Sequence, residues 1–180
     1  MKTPNASELF RRADDIELQL CRQAIQWSRH HGLEPFFRGV SRLGDGAFWY
    51  GVIAVVLLLE GTSAALLTTI AGLASTIIYK LLKGWLVRER PYITHSGIEC
   101  AAKVLDRYSF PSGHTLHAVC FTVLLTYINP ILGLIVLPFT LCVALSRVVL
   151  GLHYPSDVGA GSVIGILIAS TAITFMPFEL

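Results

Sequence analysis

Charge is scarce in this chain of 180 residues: 14 Lys and Arg with 12 Asp and Glu make up only 14% of it, against roughly 25% in an ordinary soluble domain. With 53% hydrophobic residues and a mean hydropathy of +0.61, that shortage excludes a disordered chain and argues against a water-soluble monomer. Cysteine is sparse as well. Cys21, Cys100, Cys120 and Cys142 form no CxxC pair, so they read as small apolar fillers rather than a disulfide framework or a metal clip. The 15 glycines have no period, which excludes a collagen-like chain. A formal charge of +2 carries no electrostatic footprint for nucleic acid, and no such partner is expected.

The placement of charge is more informative than its amount. Half of the charged residues precede residue 46, and beyond it lie uncharged stretches of 14 residues (Asp45 to Glu60), 19 (Glu60 to Lys80), 39 (Arg107 to Arg147) and 21 (Asp157 to Glu179). A bilayer core takes about 20 apolar residues per helix, so the longest stretch holds two spans, turning at Asn129-Pro130. Five spans are expected near 46–60, 62–82, 113–128, 130–151 and 156–176. Residues 7–31 differ, because Leu9, Ala13, Ile16, Leu20, Ala24 and Trp27 recur at three- and four-residue intervals among charged neighbours. They predict an amphipathic helix, on the protein's own surface or in the membrane interface. Acidic residues interrupt it, so it does not read as a secretory signal. The expectation is an all-α integral membrane bundle, with an N-terminal helical region over 1–45 and a membrane-embedded domain over 46–180. Gly44-Asp45-Gly46 is expected only to separate the two.

Ionisable groups at the edges of apolar segments are expensive and therefore point to function. Three clusters qualify: Lys83 with Arg88, Glu89, Arg90 and Pro91; Pro111, Ser112, Gly113, His114 and His117; and Ser146, Arg147, His153 and Asp157. Following alternating spans puts all three on one membrane face, where Lys83, Arg90 and Arg147 suit an oxyanion such as phosphate. Asp157 lies four residues after His153, so its carboxylate can orient one imidazole nitrogen and free the other to attack, with Pro155 starting the last helix between them. Ser112-Gly113 before an apolar run marks a helix N-terminus that favours an anion, and His114 in its first turn can protonate a leaving oxygen. Arg88 and Glu89 read as a solvated pair, Trp49 and Trp85 as interface anchors, and His117 as an ordinary core histidine. Residues 92–111 read as a loop, a simple connector or the place of headgroup selection.

Lys83 with six residues to Arg90-Pro91, then Pro111-Ser112-Gly113-His114, then Ser146-Arg147 with five residues to His153 and three more to Asp157 resemble the three-part signature of the type 2 phosphatidic acid phosphatase superfamily. That superfamily also contains vanadium haloperoxidases and bacterial non-specific acid phosphatases. The resemblance covers residues 83–157. It implies an all-helical, metal-independent phosphohydrolase with no cofactor. Carried over by position, Lys83, Arg90 and Arg147 would neutralise the phosphate oxygens, helped by Ser112 and the Gly113 backbone N–H; His153 would attack phosphorus, Asp157 would orient it, and His114 would protonate the leaving group.

The expected activity is therefore removal of the terminal phosphate from a membrane lipid phosphate or diphosphate through a phosphohistidine. Undecaprenyl diphosphate, phosphatidylglycerophosphate and phosphatidic acid are the candidates, with the bacterial undecaprenyl-diphosphate phosphatases of the superfamily the nearest in layout. A vanadium-dependent haloperoxidase and a non-catalytic binder of lipid phosphates are the alternatives. No obligate protein partner is evident. The Lys and Arg count taken alone puts the catalytic face in the cytoplasm. The resemblance implies the bacterial cytoplasmic membrane with the site facing outward.

Overall fold

The structure, a computed structural model, describes residues 6–94 and 107–175. Among them are eight helices and no strand. The amphipathic repeat near the N-terminus forms α1 (Ala6–His30), followed by α2 (Glu34–Leu43) and α3 (Ala47–Glu60). Next come α4 (Thr62–Trp85), the single turn α5 (Pro91–Thr94), α6 (Gly113–Ile128), α7 (Pro130–Val149) and α8 (Pro155–Phe175). The boundaries follow local chemistry. Ser112 caps α6, accepting from the Thr115 N–H, and Asn129 caps α7, accepting from Ile131 N–H at 3.0 Å ahead of Pro130 at its first position.

The short helix α6 is the axis of the bundle, packed by α4, α7 and α8. Leu116, Ala118, Cys120, Phe121, Leu124 and Leu125 are all buried on it. Glycine brings α8 close: a Cβ at Gly161 would stand 2.6 Å from the Ser112 carbonyl oxygen, and one at Gly165 would stand 2.5 Å from that of Leu116. A Gly-x-x-x-Gly stripe of this kind lets two apolar helices approach by their backbones. The outward faces of α3, α4, α7 and α8 expose Leu58, Leu66, Leu134 and Leu167, as a lipid-facing surface does.

Three helices, α4, α7 and α8, are by themselves long and apolar enough to cross a membrane. Helices α2 and α3 pass the same test only together, bent by 55° at the break between them. Helix α6 is apolar but has 16 residues. Length and composition therefore support three or four spans, and α6, expected as one of five, is instead too short to qualify by that measure. Trp49, expected as an interface anchor, is 2% exposed, its indole N–H donating to the Gly44 carbonyl at 3.3 Å. Its ring packs with Phe121 and Phe139 because the bend turns α3 inward. Trp85 is 85% exposed at the end of α4. Cys21 and Cys120 are buried fillers, and Cys100 lies outside the described residues.

Candidate active site

The three charged clusters meet at one end of the bundle. A cavity of about 780 Å³ opens there, with Lys83, Arg90, Gly113, His114, Arg147 and His153 in its wall. Each arrives on a different kind of scaffold. Lys83 sits in the last turn of α4 with its ammonium 5.7 Å over the Tyr79 ring. Arg90 follows the end of α4, 2% exposed, and donates to the Leu152 carbonyl at 2.9 Å. Arg147 ends α7, and its own carbonyl accepts from the N–H groups of Leu152 and His153, both at 3.0 Å. That hairpin of bonds, turning through Gly151 at φ +70°, places His153 beside the guanidinium of Arg90.

His153 is 1% exposed. Its Nε2 lies 3.2 Å from Arg90 Nη1 on the cavity side, and its Nδ1 faces Asp157 Oδ2 at 3.7 Å. That distance exceeds a hydrogen bond. The carboxylate is occupied elsewhere: Oδ2 accepts from the Tyr154 N–H at 2.9 Å and Oδ1 from Arg88 at 3.0 Å. Asp157 thus approaches across the turn before Pro155 rather than along a continuous helix. Burial first, and then the charges of Arg147, Arg90 and Lys83, hold the His153 imidazole well below its ordinary range, hence neutral.

Ser112 and Gly113 begin α6 at the same end. Ser112 is buried, its hydroxyl hydrogen-bonds that of Thr115 at 2.9 Å, and its N–H donates to the Asp157 carbonyl at 3.0 Å. His114, in the first turn, has its Nε2 against Asp45 Oδ1. His117, one turn on, also lines the cavity and stacks on Phe121 at 5.3 Å. Among the described residues no group of three or more His, Cys, Asp or Glu is placed to hold a metal ion.

Arg88 is a correction to the sequence reading. Instead of pairing with Glu89, it reaches inward and donates to Ser156 Oγ at 2.7 Å, Asp157 Oδ1 at 3.0 Å, Glu17 at 2.6 Å and Asp14 at 3.1 Å. Its guanidinium lies 4.0 Å over the Tyr154 ring, and Glu89 pairs with Arg107 instead. The three carboxylates at the junction of α1 and α8 hold Arg88 better than one solvent-exposed neighbour could. Ser41 of α2, which accepts from Arg147, and Asp45 are the other polar partners with no signal at signature spacing. Residues 95–106, most of the loop considered for headgroup selection, lie outside the described residues.

Known proteins extend this geometry. The chain is 26% identical over 155 residues to phosphatidylglycerophosphatase B of Bacillus subtilis, covering 78% of this chain and 73% of that protein. It is 29% identical over 123 residues to an undecaprenyl-diphosphatase of the same organism, covering 66% and 63%. Its fold matches the crystal structure of Aquifex aeolicus LpxE with a TM-score of 0.77 at 23% identity, over 87% of this chain and 94% of that one. The profile of the PAP2 superfamily matches residues 62–179, the stretch from α4 through α8 that carries Lys83, Arg90, His114, Arg147, His153 and Asp157, and the chain belongs to that superfamily.

Proposed function

We propose that the protein is an integral membrane lipid phosphatase that removes a terminal phosphate through a phosphohistidine. The observation that carries this reading is the convergence of Lys83, Arg90, Arg147, His114 and His153 on one cavity, with His153 buried beside Asp157. Lys83, Arg90 and Arg147 hold the phosphoryl oxygens, and the α6 N-terminus adds the Gly113 N–H and the helix dipole. His153 Nε2 attacks phosphorus while Asp157, across the ring, favours the tautomer that keeps the proton on Nδ1. His114 gives its proton to the leaving oxygen as the P–O bond breaks. Water then attacks the phosphohistidine, His114 takes up its proton, and the N–P electron pair returns to His153.

The rest of the cavity suits a lipid. Its lining also takes in Tyr50 and Ile53 of α3, Leu73 of α4 and Phe121 of α6, an apolar wall for the chain nearest the phosphate. Candidate substrates are an isoprenyl diphosphate such as undecaprenyl diphosphate, phosphatidylglycerophosphate and phosphatidic acid; the names of the two B. subtilis relatives support the first two. Phosphate release by the purified protein in detergent, compared across the three with chelator present, tests the reading. Release from at least one, undiminished by chelator, is expected. Tight lipid binding without turnover would overturn it.

The site faces away from the cytoplasm in this reading. Seven Lys and Arg follow residue 46 in the chain. Lys83, Arg90 and Arg147 line the cavity, Arg88 holds Asp157 and Arg107 holds Glu89. Cations committed to phosphate or paired with carboxylates are weak topology signals, so the positive-inside count loses its force here.

A further inference from the structure

The path from α2 to α3 breaks at the catalytic end of the bundle. Gly46 takes φ +128°, open to glycine and strained for other residues, and the two helices meet at 55°. The break is held in place. Trp49 donates to the Gly44 carbonyl from a buried position, and a Cβ on Gly44 would stand 3.4 Å from His114 Cδ2. The side chain this turn presents to the cavity is Asp45, with Oδ1 on His114 Nε2. One turn earlier, Ser41 of the same segment accepts from Arg147. Neither residue lies in the stretch matched by the family profile, which starts at residue 62.

A proton donor in this cavity faces an electrostatic difficulty. Lys83 from α4, Arg147 from α7 and His153 from the α7–α8 loop face His114, and His117 lies on its own helix. Lys83 and Arg147 oppose an imidazolium, as does loss of water, whereas the rings of His153 and His117 are themselves held neutral. Asp45 supplies the opposite charge from the α2–α3 turn, and Arg42 of α2 faces that carboxylate in turn. With Nε2 engaged by Asp45, Nδ1 is the ring atom left to carry the proton to the leaving group.

We infer that Asp45 is the positioning residue of the general acid, so that the site holds two imidazole–carboxylate pairs: His153 with Asp157 for attack, and His114 with Asp45 for departure of the leaving group. Asp45 sets the ring and favours its protonated form. The proton itself leaves from His114 Nδ1 to the departing oxygen, which keeps the electron pair of the broken P–O bond. The inference rests on the phosphatase reading above.

The test compares phosphate release from phosphatidic acid in detergent micelles, whose leaving alcohol needs a proton, with release from p-nitrophenyl phosphate, whose leaving phenolate scarcely does. Asp45→Asn is expected to lower kcat/KM on phosphatidic acid, which reports the steps through P–O cleavage and not the later water attack common to both substrates, about tenfold to hundredfold, within what a general acid supplies. It should leave the aryl phosphate within about twofold and move the basic limb of the lipid pH profile down by about one unit. Asp45→Glu, which keeps the charge, should restore much of the lipid rate. In a His114→Ala background, Asp45→Asn should change neither rate further. Equal losses on both substrates, an unmoved basic limb, no loss at all, or an undiminished effect of Asp45→Asn without His114 would each overturn the inference. An Asn variant too unstable to assay leaves the Glu variant to decide: a lipid-selective change in its rate or pH limb supports the pairing, and parallel changes on both substrates refute it. Wild-type protein that releases phosphate from neither substrate refutes the phosphatase reading itself, and the inference falls with it.

Discussion

His153 is enclosed by protein and faced by Arg147, Arg90 and Lys83, and this combination fixes both its protonation and its cost. Its folded-state pKa lies well below the ordinary imidazole value, through burial first and those cations next, so the unfolded chain binds more protons at this residue as pH drops through about 6.5. Its contribution to stability is therefore complete above that pH and is lost progressively below it. Thermal unfolding in detergent between pH 7 and pH 5 should show a shallower fall for His153→Ala than for wild type, and parallel curves would show that the imidazole is not held neutral. In the phosphatase reading the same substitution abolishes turnover in a folded protein, because no other group can take the phosphoryl from that position. Asp157→Asn should cost less than His153→Ala but still orders of magnitude, through the wrong tautomer; wild-type rates would make the carboxylate purely structural.

Arg88 shows why residue identity and spacing say less than position. As one of two oppositely charged neighbours in a loop it resembles a solvated pair. In the fold it joins Asp14 and Glu17 of α1 to Ser156 and Asp157 of α8. Its replacement by Ala should lower kcat on lipid and aryl phosphates alike, about tenfold or more, since it frees the carboxylate behind the nucleophile rather than the acid. Arg88→Lys should recover only part, because an ammonium cannot reach all of those acceptors in one plane. A loss confined to the lipid substrate would contradict this role. Cys21, buried in α1 beside this network, has its thiol pushed up to about 12 by burial and then by Glu17 and Asp157, so it behaves as an inert filler.

At the level of helices, two contacts decide how the site is assembled. Glu17 of α1 accepts from the Ser156 N–H at 2.7 Å and from its hydroxyl at 2.9 Å, capping the start of α8 from another helix. Removing it takes the capping partner from the Ser156 N–H at the helix start, a cost of about 1 kcal/mol. The second contact is the glycine stripe of α8 on α6. Gly165→Ala places a methyl against the Leu116 carbonyl, which backbone atoms cannot vacate cheaply, and should destabilise by about 1 to 3 kcal/mol. Gly159, with nothing within 4 Å of a Cβ, serves as the control, and its Ala variant should unfold like wild type. Equal melting temperatures for the two variants would mean that α6 and α8 can separate without loss. The first turn of α6 carries His114 and that of α8 carries Asp157, so this spacing also sets the distance between the two halves of the reaction.

For the whole molecule, orientation in the membrane is the property that follows least directly from contacts. With the catalytic face outside, the C-terminus lies in the cytoplasm. A reporter fluorescent only in the cytoplasm should therefore light up at Leu180, and one active only outside should stay silent there. The opposite pattern would place the site inside the cell.

Much of this was legible along the chain. Uncharged stretches located the apolar helices, since burial of charge in hydrocarbon is costly enough to leave its mark on composition. Pro130, Pro155 and the Ser112 cap marked where helices start. Of the three polar clusters, Lys83, Arg90, Gly113, His114, Arg147 and His153 line one cavity, because alternating helices bring their ends to a common face. What the chain could not disclose depended on long-range approach. Asp45 and Ser41 meet His114 and Arg147 across 69 and 106 residues, Glu17 meets Ser156 across 139, and Trp49 turns inward only because the chain bends at Gly46. A local pattern records what each helix must bury. Which charge then faces which imidazole is set by how the helices pack, and that was decided by the fold.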